Sequence, residues 1–312
     1  MSRSQMTLYL QGGVGNQLFQ ACFYSFVRNY LDRPCKIDIS LLNSDIPGVT
    51  ARSFETPFLF DEGDIKANRS LTVTKARLLK KRLTRKLYIE DPVDVSRWAK
   101  EAFRGSHDVI GYFQDHILVS EQWKVIEKRM SGNPSWSTIV DGHLEDRIAI
   151  HYRLGDYVTN AAAQSFHGVT HPKFFLDAIN TLDPEGTRGI QLVTDSEHLA
   201  RFLLSSVGLD VDRITTPASK VGHLGDLACL AHSTNLVTSN SSFSWWGAWI
   251  ASQKGARVVA PTPWFRTEDQ SPRLLPNSWI QVERPILSTS ELAALESELV
   301  GKEISTSEAR NK

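Results

Sequence analysis

The sequence predicts a doubly wound α/β chain, on three observations. Short runs of buried-type residues recur along it: residues 7–10 (TLYL), 35–39 (CKIDI), 107–114 (HDVIGYFQ), 147–151 (RIAIH), 189–196 (GIQLVTDS), 235–238 (NLVT) and 256–260 (ARVVA). Stretches of helical spacing separate them, and such alternation favours parallel sheets covered by helices. Several of the strands also end in glycine or small polar residues, which in such sheets face the ligand crevice.

A chain of 312 residues is long for one core and suits two of about 150 residues each. The turn-rich residues 131–137 (SGNPSWS) open a soft boundary that extends to residue 146. The division expected is an N-terminal domain over residues 1–140 and a C-terminal domain over residues 141–312. Lys plus Arg and Asp plus Glu are 35 each, for a formal net charge of zero. Bulk attraction to nucleic acid is therefore not expected. Three cysteines, Cys22, Cys35 and Cys229, are too few for a disulfide framework and read as buried thiols of a reducing compartment. The apolar stretch ahead of the first glycines is too short for a signal peptide or a membrane anchor.

Taken in order, the first strand runs into Gly12-Gly13-Val14-Gly15-Asn16-Gln17, then a helix over residues 18–30 with Leu18, Cys22, Phe26 and Tyr30 four apart. This geometry brings backbone close to a ligand. It lacks the Lys-Ser/Thr of a phosphate-binding P-loop and the third glycine of a dinucleotide fingerprint, and a tight turn with no ligand is the alternative. Residues 66–86 carry nine cations and no acid. Leu79, Leu83 and Leu87 lie four apart, so the stretch reads as an amphipathic helix with a basic face. That face is either solvated or docks on an anionic glycan or membrane surface. Tyr112, Phe113 and Gln114 are core residues or a sugar-facing wall.

The strand at residues 147–151 ends in His151-Tyr152-Arg153-Leu154-Gly155-Asp156. An arginine there can grip phosphate through two hydrogen bonds, and an ion pair with Asp156 is the structural alternative. The loop over residues 160–170 carries His167, a contact or a base if it reaches the cleft. Asp195 and Ser196 follow the next strand and, at its carboxyl end, are candidates for ribose or base contacts; Ser196 is also the expected cap of the helix over residues 197–204. Asp210-Val211-Asp212 has the form of a metal-binding pair but sits in a short link before a strand.

The most distinctive stretch is residues 226–249, DLACLAHSTNLVTSNSSFSWWGAW. A short apolar helix with Asp226 at its start precedes a buried strand. The turn Ser239-Asn240-Ser241-Ser242 then leads into Phe243 and a helix rich in tryptophan. A turn of hydroxyl and amide residues before a helix offers N–H groups to an anion, or simply caps the helix. Residues 256–260 are read as the last strand. Ser288-Thr289-Ser290-Glu291 is a capping box for a helix over residues 292–300.

Three of these segments, GGVGNQLFQA, HYRLGDYV and NSSFSWWGAW, occur in the order of the alpha-1,2-fucosyltransferases, glycosyltransferase family 11, and resemble them. The resemblance implies a GT-B architecture, two Rossmann-like domains facing a cleft. It implies inverting transfer of L-fucose from GDP-fucose to O2 of a terminal beta-galactose on a glycan, with no cofactor and no metal. It puts Gly13 and Asn16 toward the donor, His151 and Arg153 near its diphosphate, Asp226 on guanine, and Asn240, Ser241, Ser242 and Phe243 around the nucleotide. Asp156 and His167 are its candidate bases. The family usually has a second arginine where this chain has Leu154. A different linkage, or a non-catalytic GDP-sugar or glycan binder, is the other reading. Without an anchor, a bacterial cytoplasmic protein is expected, with contact at the inner membrane face through residues 66–86 as its one membrane option.

Overall fold

The computed structural model describes residues 5–42, 51–66, 71–84, 87–89, 107–137, 147–217, 222–266, 273–294 and 297. Two parallel sheets organise them. The first holds β1 (Met6–Tyr9), β2 (Cys35–Asp38), β3 (Ile65–Lys66), β4 (Leu87–Ile89) and β5 (Asp108–Ile110), in the order β3-β2-β1-β5-β4. The second holds β6 (Arg147–Tyr152), β7 (Gly189–Thr194), β8 (Ile214–Thr215), β9 (Asn235–Val237), β10 (Arg257–Thr262) and β11 (Ile280–Glu283), in the order β11-β10-β9-β6-β7-β8. Every pairing described between these strands is parallel. In the second sheet the chain steps outward from β6 to β8, then crosses to the other side for β9. The crevice at such a reversal lies between β6 and β9; in the first sheet it lies between β1 and β5.

The α-helices of five residues or more are α1 (Val14–Ser25), α2 (Leu71–Leu83), α3 (His116–Ser131), α4 (Gly155–Thr159), α5 (Ala161–His167), α6 (Pro172–Leu182), α7 (Glu197–Ser206), α8 (Gly222–Ala231) and α9 (Ser242–Ser252). Alternation along β6 sends Ile148, Ile150 and Tyr152 into a core with α6 and α7, and Ala149 into another core on the opposite face. This other core is common to both sheets. It joins Leu8, Phe19 and Phe23 to Trp245, Trp246 and Trp249. The Phe19 ring lies 4.6 Å from Trp245 and 5.2 Å from Trp246, and the Trp245 indole donates to the Leu274 carbonyl at 2.8 Å. The tryptophans of α9 are thus the wall behind the polar turn.

Several expectations need correction. The first helix starts at Val14, and Phe26–Tyr30 forms a π-helical turn that leaves Tyr30 exposed. The basic segment is not one helix: α2 ends at Leu83, and Leu87 belongs to β4. Leu79 and Leu83 face solvent at 61% and 77% exposure. Arg77 and Lys81 instead turn inward to the buried Asp108, at 3.1 and 3.5 Å, because a buried carboxylate requires partners more than a short leucine stripe requires cover. Arg69, Arg85 and Lys86 lie outside the described residues. Asp226 is in the body of α8, not at its start. Ser196 stands before α7 but its hydroxyl makes no capping bond. The Thr194 hydroxyl accepts from the Ser196 N–H instead and donates to the Tyr152 carbonyl. The last strand is β11, whose exposed edge position and mixed IQVE sequence hide it from a hydrophobic pattern. Phe113 is core, stacked on Phe23 at 3.9 Å, while Tyr112 is partly exposed. The expected boundary segment is described only to residue 137, and the helix after the capping box only to residue 294 and at residue 297; the box itself is present, with Ser288 and Glu291 bonded reciprocally.

Candidate functional site

The carboxyl ends of the two sheets meet where the sequence motifs fall. The first turn of α1, just past the glycine loop, lies against the start of α9, and Gly15 is what permits this. A Cβ there would run into the Ser242 carbonyl carbon and the Phe243 nitrogen. Two glutamines one helical turn apart on α1 tie the surrounding loops down. Gln17, fully buried, donates to the Gly12 and Ser53 carbonyls and accepts from Glu55 N and Thr56 Oγ1. Gln20 donates to the Gly111 carbonyl at the end of β5 and accepts from Gln11 N. Asn16 accepts from Gln114 at 2.9 Å. The first sheet's reversal point is therefore a pinned platform carrying Gly13 and Asn16.

Opposite it stands a four-member ion cluster. Arg153 follows β6 and donates to Asp156 Oδ1 through Nε and Nη2, at 3.1 and 2.6 Å. Its Nη1 lies 2.9 Å from Asp195 Oδ2. The other oxygen of Asp195 accepts from the N–H groups of Leu154 and Gly155, and a Cβ on Gly155 would collide with that carboxylate. The fourth member, Arg52, comes from the first half of the chain and reaches Asp156 Oδ2 at 2.6 Å. Burial disfavours the Arg153 charge, but Asp195 and Asp156 outweigh it, and its pKa is raised. The structural alternative for Arg153, a pair with Asp156, is thus real, and both arginine side chains remain about a quarter exposed.

Behind this cluster the site is largely buried. His151 is buried, bonded through Nδ1 to the Ser239 hydroxyl at 2.8 Å and 5.3 Å from the Phe243 ring. Burial, with Arg153 nearby, pushes it down to about 3, so it is neutral at ordinary pH. The amide of Asn240 is spent within the fold, donating to the His167 carbonyl and accepting from Thr170. The Ser241 hydroxyl caps α9 by accepting from Phe243 N at 3.3 Å, and Ser242 is partly exposed beside it. His167 stacks on Tyr157 at 4.5 Å, and its Nδ1 is buried with no hydrogen-bond partner. Burial lowers its pKa to about 4, with Asp156 opposing and Arg284 adding to the drop. Arg284, 3% exposed, donates to the carbonyls of Pro263, His167 and Gly168. On the rim, burial raises the Asp226 carboxyl, against the neighbouring His223. His223 in turn meets Glu55 of the first half at 2.9 Å.

The structure therefore brings Gly13, His151, Arg153, Asp156, His167, Asp195, Ser241, Ser242 and Phe243 into one crevice. Ser196 has its N–H on the Thr194 hydroxyl, Asn240 holds neighbouring loops, and Asp226 sits on α8. Sequence reasoning missed Arg52, Gln17, Gln20 and Arg284. The glutamines did carry a signal, being polar residues at a three-residue spacing inside an otherwise apolar helix. Arg52 and Arg284 carried none, since Asp156 and His167, the partners that tie them to the site, lie more than 100 residues away. Asp210 caps a 3-10 turn by accepting from Asp212 N.

The chain matches the model of Glycosyl transferase family 11 over residues 99–282. That is more than half of its length, and the chain belongs to this family; it is a glycosyltransferase. It is similar to an alpha-1,2-colitosyltransferase of Escherichia coli, 25% identical over 301 residues that cover 88% of this chain and 98% of that one. It is also similar to the O-antigen biosynthesis glycosyltransferase WbnK of Escherichia coli, 25% identical over 305 residues, 88% and 99% of the two chains. Among solved structures, the fucosyltransferase NodZ from Bradyrhizobium aligns with a TM-score of 0.46 at 12% identity, over 80% of this chain and 94% of that one. The Escherichia coli heptosyltransferase WaaC with ADP aligns with a TM-score of 0.44 at 10% identity, over 95% and 99%. Among the described residues no helix is long and apolar enough to cross a membrane.

Proposed function

We propose that this glycosyltransferase moves L-fucose, or a closely related deoxyhexose, from a GDP-linked donor to O2 of a terminal beta-galactose on a glycan, with inversion. One observation carries the reading: Arg153 follows β6 at the reversal point of the second sheet, next to β9 and the Ser241–Phe243 turn, and Asp156 links it to Arg52 beside Gly13. This is where a doubly wound sheet holds a diphosphate. As the bond from the anomeric carbon to the diphosphate breaks, charge develops on the leaving oxygen. Arg153 and the N–H and hydroxyl groups at the start of α9 are placed to stabilise it without a metal.

The acceptor hydroxyl attacks from the opposite side and loses its proton. Of the two candidate bases, Asp156 holds a guanidinium on each oxygen, whereas His167 is neutral with its ring partly exposed, although its Nδ1 is buried. His167 is therefore the better base, and Asp156 is a positioning residue. Asp226 at the rim is suited to the N1–H and 2-amino group of guanine. A colitosyl donor deserves equal trial, given the name of one relative.

The test is transfer from GDP-fucose and from GDP-colitose to lactose, with EDTA present, for wild type and Arg153→Ala. A 2-linked product from wild type that is lost in the variant supports the reading. GDP binding without transfer to any galactose-terminated acceptor would defeat it in favour of a binding protein.

A further inference from the structure

We propose that Arg52 is a second ligand for the donor diphosphate, delivered across the crevice by the first half of the chain. The inference rests on the GDP-sugar reading above and adds a residue to it. The segment from His151 through Thr159 contains one arginine or lysine, Arg153, and the next residue, Leu154, is fully buried in the apolar core. Arg153 has every nitrogen engaged by Asp156 or Asp195. A diphosphate carries more charge than this one partly committed guanidinium can neutralise.

Arg52 provides what is missing. Among the described residues it spends only Nη2, on Asp156. Its Nε and Nη1 donors are uncommitted, and its side chain is 28% exposed. The nearest atoms to the place a Gly13 side chain would occupy are Arg52 Cδ and Nε, both 4.0 Å away. The glycine thus leaves open space directly beside those donors. The position of Arg52 is also built. Its N–H donates to the Leu42 carbonyl at 2.8 Å, and the following residues are bonded to the buried Gln17 through Ser53, Glu55 and Thr56.

Asp156 holds Arg52 and Arg153 on its two oxygens. This keeps two like charges side by side, ready for an anion. A diphosphate entering between Gly13 and Arg153 would engage the open Nε and Nη1 of Arg52 and bridge the two halves of the chain.

The test is calorimetric binding of GDP and of guanosine to wild type, Arg52→Ala and Arg52→Lys. Arg52→Ala should weaken GDP by about 10- to 100-fold while guanosine binding is unchanged. Arg52→Lys should fall between, keeping charge but losing the two-pronged contact. The Arg52→Ala loss should persist in an Asp156→Asn background. Unchanged GDP affinity, an equal loss for guanosine, or a loss that vanishes with Asp156→Asn would each overturn the inference. Wild type that binds no nucleoside diphosphate would instead sink the donor reading itself, and this inference with it.

Discussion

Phe19 of α1 packs its ring 4.6 Å from that of Trp245 in α9. One side chain follows the glycine loop of the first sheet; the other follows the Ser241–Phe243 turn of the second. Their contact sets the distance between two loops that come from opposite halves of the chain. Phe19→Ala should therefore cost about 3–5 kcal/mol, read as a lower denaturant midpoint. At temperatures where the variant stays folded it should also raise the donor KM, because the two loops lose their common support.

The division of labour between Asp156 and His167 can be read from kinetics. His167→Ala should lower kcat by about 10²- to 10⁴-fold, the usual range for a lost base, with donor KM little changed. Asp156→Asn should act mainly on donor KM, since its oxygens serve Arg52 and Arg153. A large kcat loss confined to Asp156→Asn would exchange the two roles.

The His223–Glu55 pair joins the two halves at the rim and is sensitive to pH. The hydrogen bond to Glu55, the largest cause, raises the His223 pKa against burial. A histidine raised on folding adds stability fully present below its unfolded value of about 6.5 and lost as pH rises through the folded value. Thermal melts should show this contribution fading above about pH 6.5, and His223→Ala should remove it. A wild-type melt with no component in that window would show the pair to be without effect.

The buried histidines act in the opposite sense. His151 and His167 are held neutral, near 3 and 4, first of all by burial. Between those values and about 6.5 the unfolded chain binds more protons, so stability should fall as pH drops through this window. His151→Asn should flatten the acid limb of a stability-against-pH curve, even though it loses packing. An unaltered acid limb would mean that His151 is not held neutral by the fold.

The two faces of α2 should separate in mutation. Arg77→Ala should cost about 1–3 kcal/mol, because Asp108, 2% exposed, loses a charged partner. Lys80→Glu with Leu79→Ser on the outward face should leave the melting temperature unchanged. The same double variant is the right probe of a membrane role for this helix. Sedimentation with anionic vesicles should fall if the outward face docks there, and equal sedimentation of wild type and variant removes that role.

The parallel α/β class, the loops that close the strands and the aromatic wall of α9 were legible because they are local. Strand alternation, glycine runs and serine caps obey rules that span a few residues. The inward turn of Arg77 and Lys81 could not be seen that way, because a leucine spacing says nothing about a carboxylate buried in β5, some 30 residues on. Nor could the partition of the site. Whether Asp156 is a base or a clamp depends on Arg52, which lies 104 residues earlier in the chain. By itself, the sequence determined which segments would line a crevice and what chemistry they bring. Only the tertiary structure decided which charges meet there, because ion pairing and burial act through distance in space and not along the chain.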